Sequence, residues 1–508
     1  MTSGRRNGAR QDGTCQGGTH DATRRDFLRV AGAWAALAAI PDVVGSRGRI
    51  PSAAPIAGGP WSARRPVPTA AQLQWQRDEL ALFAHFTVNT FTDREWGDGS
   101  ESPALFDPVR LDARAWTRVA KRAGFRSIVL TAKHHDGFCL WPSRVTSHSV
   151  AASPWRGGGG DVVREVADAC RADGLGLGLY LSPWDRHEPS YGSGRAYMDV
   201  YCAQLEELLA QYGPVCEVWF DGANGEGANG KRQAYDWPRI HAIVRQLQPQ
   251  AVMFSDAGPD VRWIGNEKGV AGETCWSTID PVSVPYAGYD APNVGELLQR
   301  VDPHGSVWRP GETDVSIRPG WFWHAQEDAQ VRSVDNLMEL YFTSVGRNSK
   351  LLLNVPPTRD GVFHPTDVAR LEAFGARRAQ MLTRDFAREA LVTGAGSNAA
   401  AAVDGAPDTF WSAPAGATRA TLDLALPAPA RCNVVRLQEP IALGQGVERF
   451  EVRGEGVNGW ALLATGSTIG YCRLARIAPR VIRRLRVIVE STLDVPRLAA
   501  VSLHLDEA

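Results

Sequence analysis

An aspartate at the end of a short apolar segment is the residue of this chain best placed to react. Residues 217–222 read Glu-Val-Trp-Phe-Asp-Gly, so Asp221 follows a strand-like run and precedes a glycine turn. In a parallel barrel, reacting groups lie at the carboxyl ends of the strands. A carboxylate held in such a place is a candidate nucleophile rather than a surface charge.

Further clusters of polar and aromatic residues follow or end apolar segments of strand length. They are His85 in 83–86, Glu95 and Trp96 in 95–97, His134 and His135 in 134–137, Glu267 in 263–267, and Trp323 in 321–324. A single cluster of this kind is most simply a core histidine or tryptophan with satisfied hydrogen bonds. Their repetition predicts that polar side chains converge at one end of a barrel.

Two carboxyl groups could hydrolyse a glycoside with retention if they lie about 5–5.5 Å apart on either side of the anomeric carbon. One attacks and forms a glycosyl-enzyme ester, and the other protonates the leaving oxygen and later deprotonates water. Asp221 fits the first role because its short side chain is held rigidly at a strand end. Glu267 fits the second, since a longer side chain on a loop can move. Its acid form at neutral pH requires a raised pKa.

The paired histidines also raise the possibility of a metal site. Adjacent residues on a strand point in opposite directions, so a metal at His134 and His135 would need ligands from other strands, such as His85. We therefore expect no metal and no cofactor. Neutral imidazoles and carboxylates are good hydrogen-bonding partners for the hydroxyl groups of a monosaccharide.

Composition limits the classes of partner. A chain of 508 residues predicts two domains and a leader, and its 55 basic and 56 acidic residues leave a net charge of −1. Without a basic stripe, we expect neither nucleic-acid binding nor electrostatic attraction to anionic membranes. The 17 tryptophans could stack on sugars or fill a large core.

The N-terminus predicts export. Arg24 and Arg25 precede Phe27 and a short apolar run over 30–40, a pattern typical of a twin-arginine signal. That run is too short to span a bilayer, so no membrane anchor is expected. We assign 1–60 to the signal and a linker, and expect a periplasmic or extracellular protein. The eight cysteines show no CxxC pair and no zinc spacing, and most are expected to be small core residues.

Strand-like runs alternate with amphipathic helices over 61–384, which predicts a (β/α)8-like TIM barrel, possibly irregular. The predicted strands are 82–88, 127–131, 175–182, 215–220, 251–255, 314–317 and 350–355. The missing eighth strand is expected within the loop-rich stretch 269–307. Asp112 and Asp161 begin two of the predicted helices, which end at Gly124 and Gly174.

After Arg384 the pattern changes to short alternating strands separated by Gly, Pro and Asp, which predicts an all-β sandwich over 385–508. Within it, 403–411 reads Val-Asp-Gly-Ala-Pro-Asp-Thr-Phe-Trp and resembles the signature of discoidin-like carbohydrate-binding sandwiches. Two interpretations remain open, a sugar-binding domain and a domain that packs against the barrel.

Segments spread over about three hundred residues resemble the α-L-fucosidases of glycoside hydrolase family 29. They are 82–98, 133–141, 180–185, 217–222, 254–276 and 351–361, and the distinctive ones read Lys-His-His-Asp-Gly-Phe (133–138) and Val-Trp-Phe-Asp-Gly (218–222). The resemblance implies a retaining mechanism, a barrel that often departs from eight regular strands, no metal and a C-terminal β-sandwich.

The resemblance also implies site residues. Asp221 matches the nucleophile of the family. The positions that line the fucose pocket are matched by His85, Glu95, Trp96, His134, His135, Trp184 and Trp323. Trp219 is interpreted as a pocket wall and Arg262 as a pocket or leaving-group contact.

The acid/base residue follows from a subgroup of the family that acts on α-1,3 and α-1,4 linkages of branched glycans. Residues 255–260 and the Gly-Asn-Glu element at 265–267 resemble that subgroup, which implies Glu267, with Glu273 as the second choice. Asp256 and Asp260 are expected to be exposed loop carboxylates, either contacting a neighbouring galactose or forming turns.

These observations favour an exported exo-α-L-fucosidase acting on fucosylated oligosaccharides or glycoprotein glycans. One alternative keeps the fold and changes the sugar, for example to an α-L-galactoside, because an apolar pocket wall excludes an added hydroxyl only partly. Another is a non-catalytic fucose-binding lectin, against which the paired Asp221 and Glu267 argue. The oligomeric state stays open.

Overall fold

The computed structural model describes residues 65–507, and the predicted signal over 1–60 lies outside that range. The barrel region comprises, in chain order, α1 (Ala70–Arg77), β1 (Leu80–Ala84), α2 (Val88–Thr92), α3 (Ala113–Ala123), β2 (Ser127–Lys133), α4 (Val162–Asp173), β3 (Gly176–Leu181), α5 (Arg195–Gln211), β4 (Glu217–Trp219), α6 (Trp237–Leu247), β5 (Val252–Ser255), β6 (Val261–Trp263), β7 (Thr278–Ile279), α7 (Val294–Arg300), β8 (Val307–Trp308), β9 (Gly311–Ser316), α8 (Val334–Thr343), β10 (Ser349–Asn354) and α9 (Pro365–Thr383).

Eight strands close into a barrel in the order β1, β10, β9, β6, β5, β4, β3, β2. The pairs are parallel, which confirms the predicted TIM-barrel class. Since both faces of a parallel barrel are covered, its strands are buried along nearly their whole length. The helices that separate them begin and end as their caps dictate. Asp112 accepts the amide of Ala115 at the start of α3, and Gly124 ends that helix with a φ of 90°.

The eighth barrel strand is not where the sequence predicts it. It is β6, which follows β5 after a short connection without a helix, and it pairs with β5 and β9. The stretch 269–307 instead contributes α7 and the antiparallel pair β7–β8, which lie outside the barrel. With three residues, Val-Arg-Trp, β6 is too short to show a strand pattern of its own.

The C-terminal region is an antiparallel β-structure, as predicted. Its strands are β11 (Leu391–Gly394), β12 (Trp411–Ser412), β13 (Arg419–Gln438), β14 (Arg449–Gly456), β15 (Gly459–Gly466), β16 (Arg473–Glu490), β17 (Arg497–Leu498) and β18 (Ala500–His504). The two long strands, β13 and β16, pair along most of their length.

In the segment 403–411, Asp404 accepts a hydrogen bond from the hydroxyl of Thr409. Trp411 is fully buried, and its indole donates to the carbonyl of Ala395. These residues of the segment form a turn and a core contact.

The two domains meet at the amino end of the barrel strands. Glu79, which precedes β1, accepts bonds from Arg436 at 3.1 Å and from the hydroxyl of Tyr471 at 3.0 Å. Asn348, which precedes β10, accepts the amide of Tyr471 at 2.7 Å. These contacts therefore place the β-sandwich opposite the end of the barrel where the predicted reacting groups lie.

Two general predictions can be compared with residues 65–507. The seven cysteines of this range are free thiols and six are buried, as expected of small core residues. No helix in the described range has the length and apolar character needed to cross a membrane.

Candidate active site

Asp221 lies two residues after the end of β4, at the carboxyl end of the barrel, and is buried. Its Oδ2 accepts a hydrogen bond from the hydroxyl of Tyr180, at 3.0 Å, and its Oδ1 accepts the amide of Ala223, at 2.8 Å. The Nε2 of His135 lies 3.9 Å from Oδ2. Each carboxylate oxygen is therefore held by a donor, which fixes the direction from which Asp221 could attack.

Three histidines from neighbouring strand ends lie beside this carboxylate. The ring of His134 is 5.5 Å from that of His85 and 4.1 Å from that of His135, measured between centroids. The Nδ1 of His85 bonds to Asn354 at 2.8 Å, and the Nδ1 of His135 bonds to Ser182 at 2.7 Å. The prediction that adjacent His134 and His135 point apart is wrong, because both follow the last residue of β2 and strand alternation no longer applies.

Burial keeps two of these imidazoles neutral. It lowers the pKa of His85 to about 4, and together with the neighbouring histidines it lowers the pKa of His134 well below its usual value. The Nδ1 of His134 is buried and has no hydrogen-bond partner among the described residues. A buried polar atom of this kind suits a ligand hydroxyl. No three His, Cys, Asp or Glu residues within 65–507 form a group that could hold a metal ion.

Trp184 and Trp96 extend the site outward from His135. The ring of Trp184 lies 4.7 Å from that of His135 and 6.3 Å from that of Trp96. Beyond them is an open cleft of about 270 Å³, lined by Trp96, Trp184, Arg186, Glu226 and Arg232. Arg186 bonds to the carbonyl of Gly97 and stacks on Trp184, so it ties the loop after α2 to the loop after β3. The cleft has indole faces and charged groups suited to a polar, ring-shaped ligand.

Glu95 holds the loop that follows β9. Its carboxylate accepts the amides of Trp321 and Phe322, at 2.8 and 3.1 Å, and the Nε2 of His324, at 2.7 Å. The other ring nitrogen of His324 lies 2.8 Å from Asp93. The hydrogen bonds that His324 donates to Glu95 and Asp93 raise its pKa to about 9, so an imidazolium fixes the loop at neutral pH.

Trp321, and not Trp323, reaches the histidines. The ring of Trp321 lies 5.1 Å from that of His85, whereas the indole of Trp323 donates to Asp328 at 3.2 Å. The structure therefore places Trp321 beside His85, and Trp323 stays a predicted pocket residue whose indole is bonded to Asp328. Tyr180 was also missed by the sequence analysis. Its signal is a tyrosine inside the otherwise apolar strand β3, next to the strand that carries Asp221.

Two residues predicted to contact the ligand have other places in the structure. Trp219 lies inside the barrel, and Arg262 contacts the segment between β6 and β9. Trp219 is buried in the barrel interior, stacked on Phe254 at 4.1 Å with its indole bonded to Glu312 at 2.9 Å. It therefore lies one layer below Asp221 rather than in a pocket wall. Arg262 is fully buried, and its guanidinium donates to the carbonyls of Leu298 and Arg309. Arg262 is the middle residue of β6, and its side chain points outward. It therefore binds the insertion between β6 and β9, residues 264–310, to the barrel.

The two candidate acids lie in different regions. Glu267 is half-buried in the loop after β6, two strands from the strand of Asp221. Asn266 shapes that loop by donating to the carbonyl of Val270 at 2.8 Å. Glu273 pairs with Arg473 at 2.6 Å and with Arg347, at the junction with the sandwich. Glu273 therefore has ion-pair partners at the junction, and Glu267 stays the predicted acid/base residue.

Asp256 and Asp260 are not the exposed carboxylates that the sequence predicts. Asp260 accepts the amide of Met253 at 2.8 Å and pairs with Arg245 at 2.5 Å, which gives it a structural role. Asp256 is buried, accepts the amide of Gly288 at 3.1 Å, and packs so closely on Gly222 that a Cβ there would lie 2.2 Å from its carboxylate. Gly222 thus allows Asp256 to approach the residue next to Asp221.

Comparison with known proteins agrees with this arrangement. A sequence model of the family Alpha-L-fucosidase matches residues 67–377. The chain is 42% identical to α-L-fucosidase 1 of Arabidopsis thaliana over 453 residues, covering 87% of this chain and 88% of that protein. It is similar to a family 29 fucosidase of Ruminococcus gnavus solved in complex with fucose, with 31% identity, a TM-score of 0.80, and 88% and 96% of the two chains covered. A family 29 glycoside hydrolase from a rumen bacterium gives 38% identity and a TM-score of 0.78, over 87% of this chain and 78% of that one.

Proposed function

Because the chain belongs to the α-L-fucosidases of glycoside hydrolase family 29, we propose that it releases terminal fucose with retention of configuration, with Asp221 as the nucleophile. The observation that carries this proposal is the buried carboxylate of Asp221, oriented by Tyr180 and Ala223 beside neutral histidines. A carboxylate fixed in this way can attack an anomeric carbon without first being reoriented.

The reaction has two steps. Asp221 attacks the anomeric carbon and forms an ester as the bond to the leaving oxygen breaks, and Glu267 gives its proton to that oxygen. Glu267 then takes a proton from a water molecule, which attacks the same carbon and breaks the ester, so that both carboxyl groups return to their starting states. His85, His134 and His135 accept or donate hydrogen bonds to the sugar hydroxyls, and Trp321 covers an apolar face of the ring.

Azide rescue tests the assignment of Glu267. Replacing Glu267 by Ala should slow hydrolysis of an activated aryl fucoside at the second step, because no base activates water. Azide needs no general base, so adding it should restore turnover and yield the α-configured fucosyl azide. Glu273→Ala is the matched control and should show no azide dependence, since its partners are Arg347 and Arg473. A β-configured azide, or rescue of the Glu273 variant, would contradict the assignment.

We propose that the substrates are α-1,3- and α-1,4-linked fucosides of branched glycans. The cleft beyond Trp184 and Trp96 supports this, because it offers room for a neighbouring sugar next to the site of cleavage. Fucose release should be measured from a Lewis-type trisaccharide and from a simple aryl α-L-fucoside. Preference for the trisaccharide supports a required neighbouring sugar, and preference for the aryl compound refutes the linkage assignment. Inactivity on both, with cleavage of an α-L-galactoside, would replace fucose as the substrate.

We also propose that the protein is exported by the twin-arginine route and acts in the periplasm or outside the cell. The pair Arg24 and Arg25 before a short apolar run supports this. Expression of residues 1–60 fused to a reporter that is active only after folded export tests the proposal. Replacing both arginines by lysine should keep the reporter in the cytoplasm, and continued export of that variant would refute it.

A further inference from the structure

The inside of the barrel carries charged residues that the reaction does not use. Glu217, Glu312 and Lys350 lie on β4, β9 and β10, and all three are fully or almost fully buried. The Nζ of Lys350 lies 3.5 Å from the Oε2 of Glu217, and that oxygen also accepts the indole of Trp75 at 3.0 Å. Lys350 sits over the ring of Trp75, 4.7 Å from its centroid. Lys350 therefore pairs directly with Glu217, and its charge also acts on Glu312.

Two carboxyl oxygens in this group have no hydrogen-bond donor among the described residues. The Oε1 of Glu217 and the Oε2 of Glu312 are buried and have no other partner among the described residues, and the two side chains are within hydrogen-bonding reach. Two carboxylates can only accept, so both oxygens would be left unsatisfied if both groups were ionised. A proton on Glu312, donated to Glu217, satisfies both.

Charge decides which group holds that proton. Glu217 faces Lys350, so its negative charge is compensated, whereas Glu312 faces the indole of Trp219 and the charge of Glu217. Burial and Glu217 raise the pKa of Glu312 well above its usual range. The remaining groups that act on Lys350 are Asp78 at the end of α1 and the thiol of Cys216, whose pKa burial raises to about 12. A neutral Glu312 leaves the carboxyl pair and Lys350 with no net charge.

Glu312 is also connected to the reacting carboxylate through Trp219. The indole of Trp219 donates to Oε1 of Glu312 at 2.9 Å, which fixes the angle of its ring. That ring stacks on Tyr180 with 5.3 Å between centroids, and the hydroxyl of Tyr180 donates to Asp221 at 3.0 Å. The order of contacts is therefore Lys350, Glu217, Glu312, Trp219, Tyr180, Asp221.

We infer that Glu312 is a neutral carboxylic acid inside the barrel and acts as a positioning residue, holding Trp219 and through it the Tyr180 hydroxyl that orients Asp221. This inference rests on the proposed role of Asp221 as the nucleophile. The rate of the first step then depends on Glu312, although this residue lies further from the sugar than the groups that contact it.

Infrared difference spectroscopy tests the protonation without using activity. The spectrum of the wild-type protein minus that of Glu312→Gln should contain the C=O stretch of a protonated carboxylic acid at neutral pH. The Glu312→Gln variant should lack this band and keep the wild-type fold. Its glutamine can still accept a hydrogen bond from Trp219 and donate one to Glu217. Absence of the band in the difference spectrum would overturn the neutral acid.

Steady-state kinetics on an aryl fucoside test the positioning role. Glu312→Gln should keep the wild-type kcat, KM and pH profile. Glu312→Leu and Trp219→Phe, which each remove the bond between the two side chains, should lower kcat by between about tenfold and about a hundredfold, with KM nearly unchanged. They should also move the acid limb of the kcat/KM profile to higher pH, because Asp221 loses a fixed donor.

The variants must be compared per active site, since Glu312→Leu could reduce the folded fraction. Titration of active sites with a slow fluorinated fucoside that traps the covalent intermediate corrects for this. A wild-type kcat and acid limb per active site in both Glu312→Leu and Trp219→Phe would overturn the positioning role. If the wild-type protein itself released no fucose, the proposed function would fail, while the infrared measurement would still decide the state of Glu312.

Discussion

The two ends of the barrel both concentrate buried polar side chains, yet they treat them differently. At the amino end, Glu79 accepts bonds from Tyr341, Tyr471 and Arg436, and Arg378 lies 3.6 Å from it. At the carboxyl end, burial keeps the imidazoles of His85 and His134 neutral, and a ring nitrogen of His134 has no partner among the described residues. Glu79 thus gathers several donors from both domains at one end, whereas at the other end a ring nitrogen is left open to a ligand.

This contrast explains why polar clusters in a sequence do not identify a site by themselves. Glu273 and Glu267 lie six positions apart and both end a polar motif, but Glu273 is paired with two arginines at the junction. Unsatisfied or adjustable polar groups cost stability, and proteins keep them mainly where function requires them. Substitutions at the two ends should therefore affect activity and stability in opposite proportions.

The largest difference is expected between Asp221→Asn and Glu273→Gln. Without its nucleophile, Asp221→Asn should lose at least about 1,000-fold in kcat on an aryl fucoside, with little change in the melting temperature. Glu273→Gln should retain kcat and KM and lower the melting temperature slightly, because its half-exposed ion pairs contribute little. Steady-state kinetics and thermal unfolding of both variants would measure this. A large kinetic loss in Glu273→Gln would remove the distinction between the two ends.

Glu79→Gln should produce the largest loss of stability without a kinetic effect. The substitution leaves the half-buried guanidinium of Arg436 without its ionic partner, at a cost of about 2 kcal/mol in the free energy of unfolding. Denaturant unfolding at neutral pH would measure that loss, and kcat per active site should equal that of the wild-type protein. A reduced kcat per active site would mean that the junction influences the site across the barrel.

His134→Phe should show the reverse pattern. A phenyl ring fits the contacts that His134 makes with Tyr180 and Phe322, and it removes the unsatisfied nitrogen, so the melting temperature should be unchanged or higher. Loss of a hydrogen bond to the sugar should lower kcat/KM by between about tenfold and about a hundredfold. A fall in melting temperature together with unchanged kinetics would assign His134 to the core.

Much of this arrangement could be predicted from the sequence, because helix caps and apolar runs are local signals. The sequence predicted the helix caps at Asp112 and Gly124, and it also predicted that Asp221 lies after a strand. Strand β6 could not be recognised, since three residues show no period and its middle residue, Arg262, is charged but points outward into the insertion. Long-range packing alone determines such an element.

The choice between side chains of one motif also depended on tertiary contacts. Trp321 and Trp323 are equally plausible in sequence. The amides of Trp321 and Phe322 donate to Glu95, and only these tertiary bonds decide which indole meets His85. Trp321→Ala should therefore raise KM for an aryl fucoside about tenfold, while Trp323→Ala should change it less than about threefold. Equal effects in the two variants would contradict this orientation of the loop after β9.

The smallest expected effect is the part of the pH dependence of stability that His324 contributes at the carboxyl end. His324 has a pKa of about 9 in the folded protein, raised from 6.5 by Glu95 and Asp93. Its stabilising contribution is complete below about pH 6.5 and is lost as the pH rises through about 9.

Burial acts with the opposite sign on His85, whose pKa of about 4 makes the folded protein less stable as the pH falls from 6.5 towards 4. Thermal unfolding from acid to alkaline pH should show both losses in the wild-type protein. In His324→Gln the alkaline loss, about 1 kcal/mol, should be absent, while the acid loss stays. At the junction, the Glu79→Gln variant should lower stability without removing either loss, because His324 and His85 lie at the other end of the barrel. A Glu79→Gln curve that lost either limb would place the titrating groups at the wrong end of the barrel.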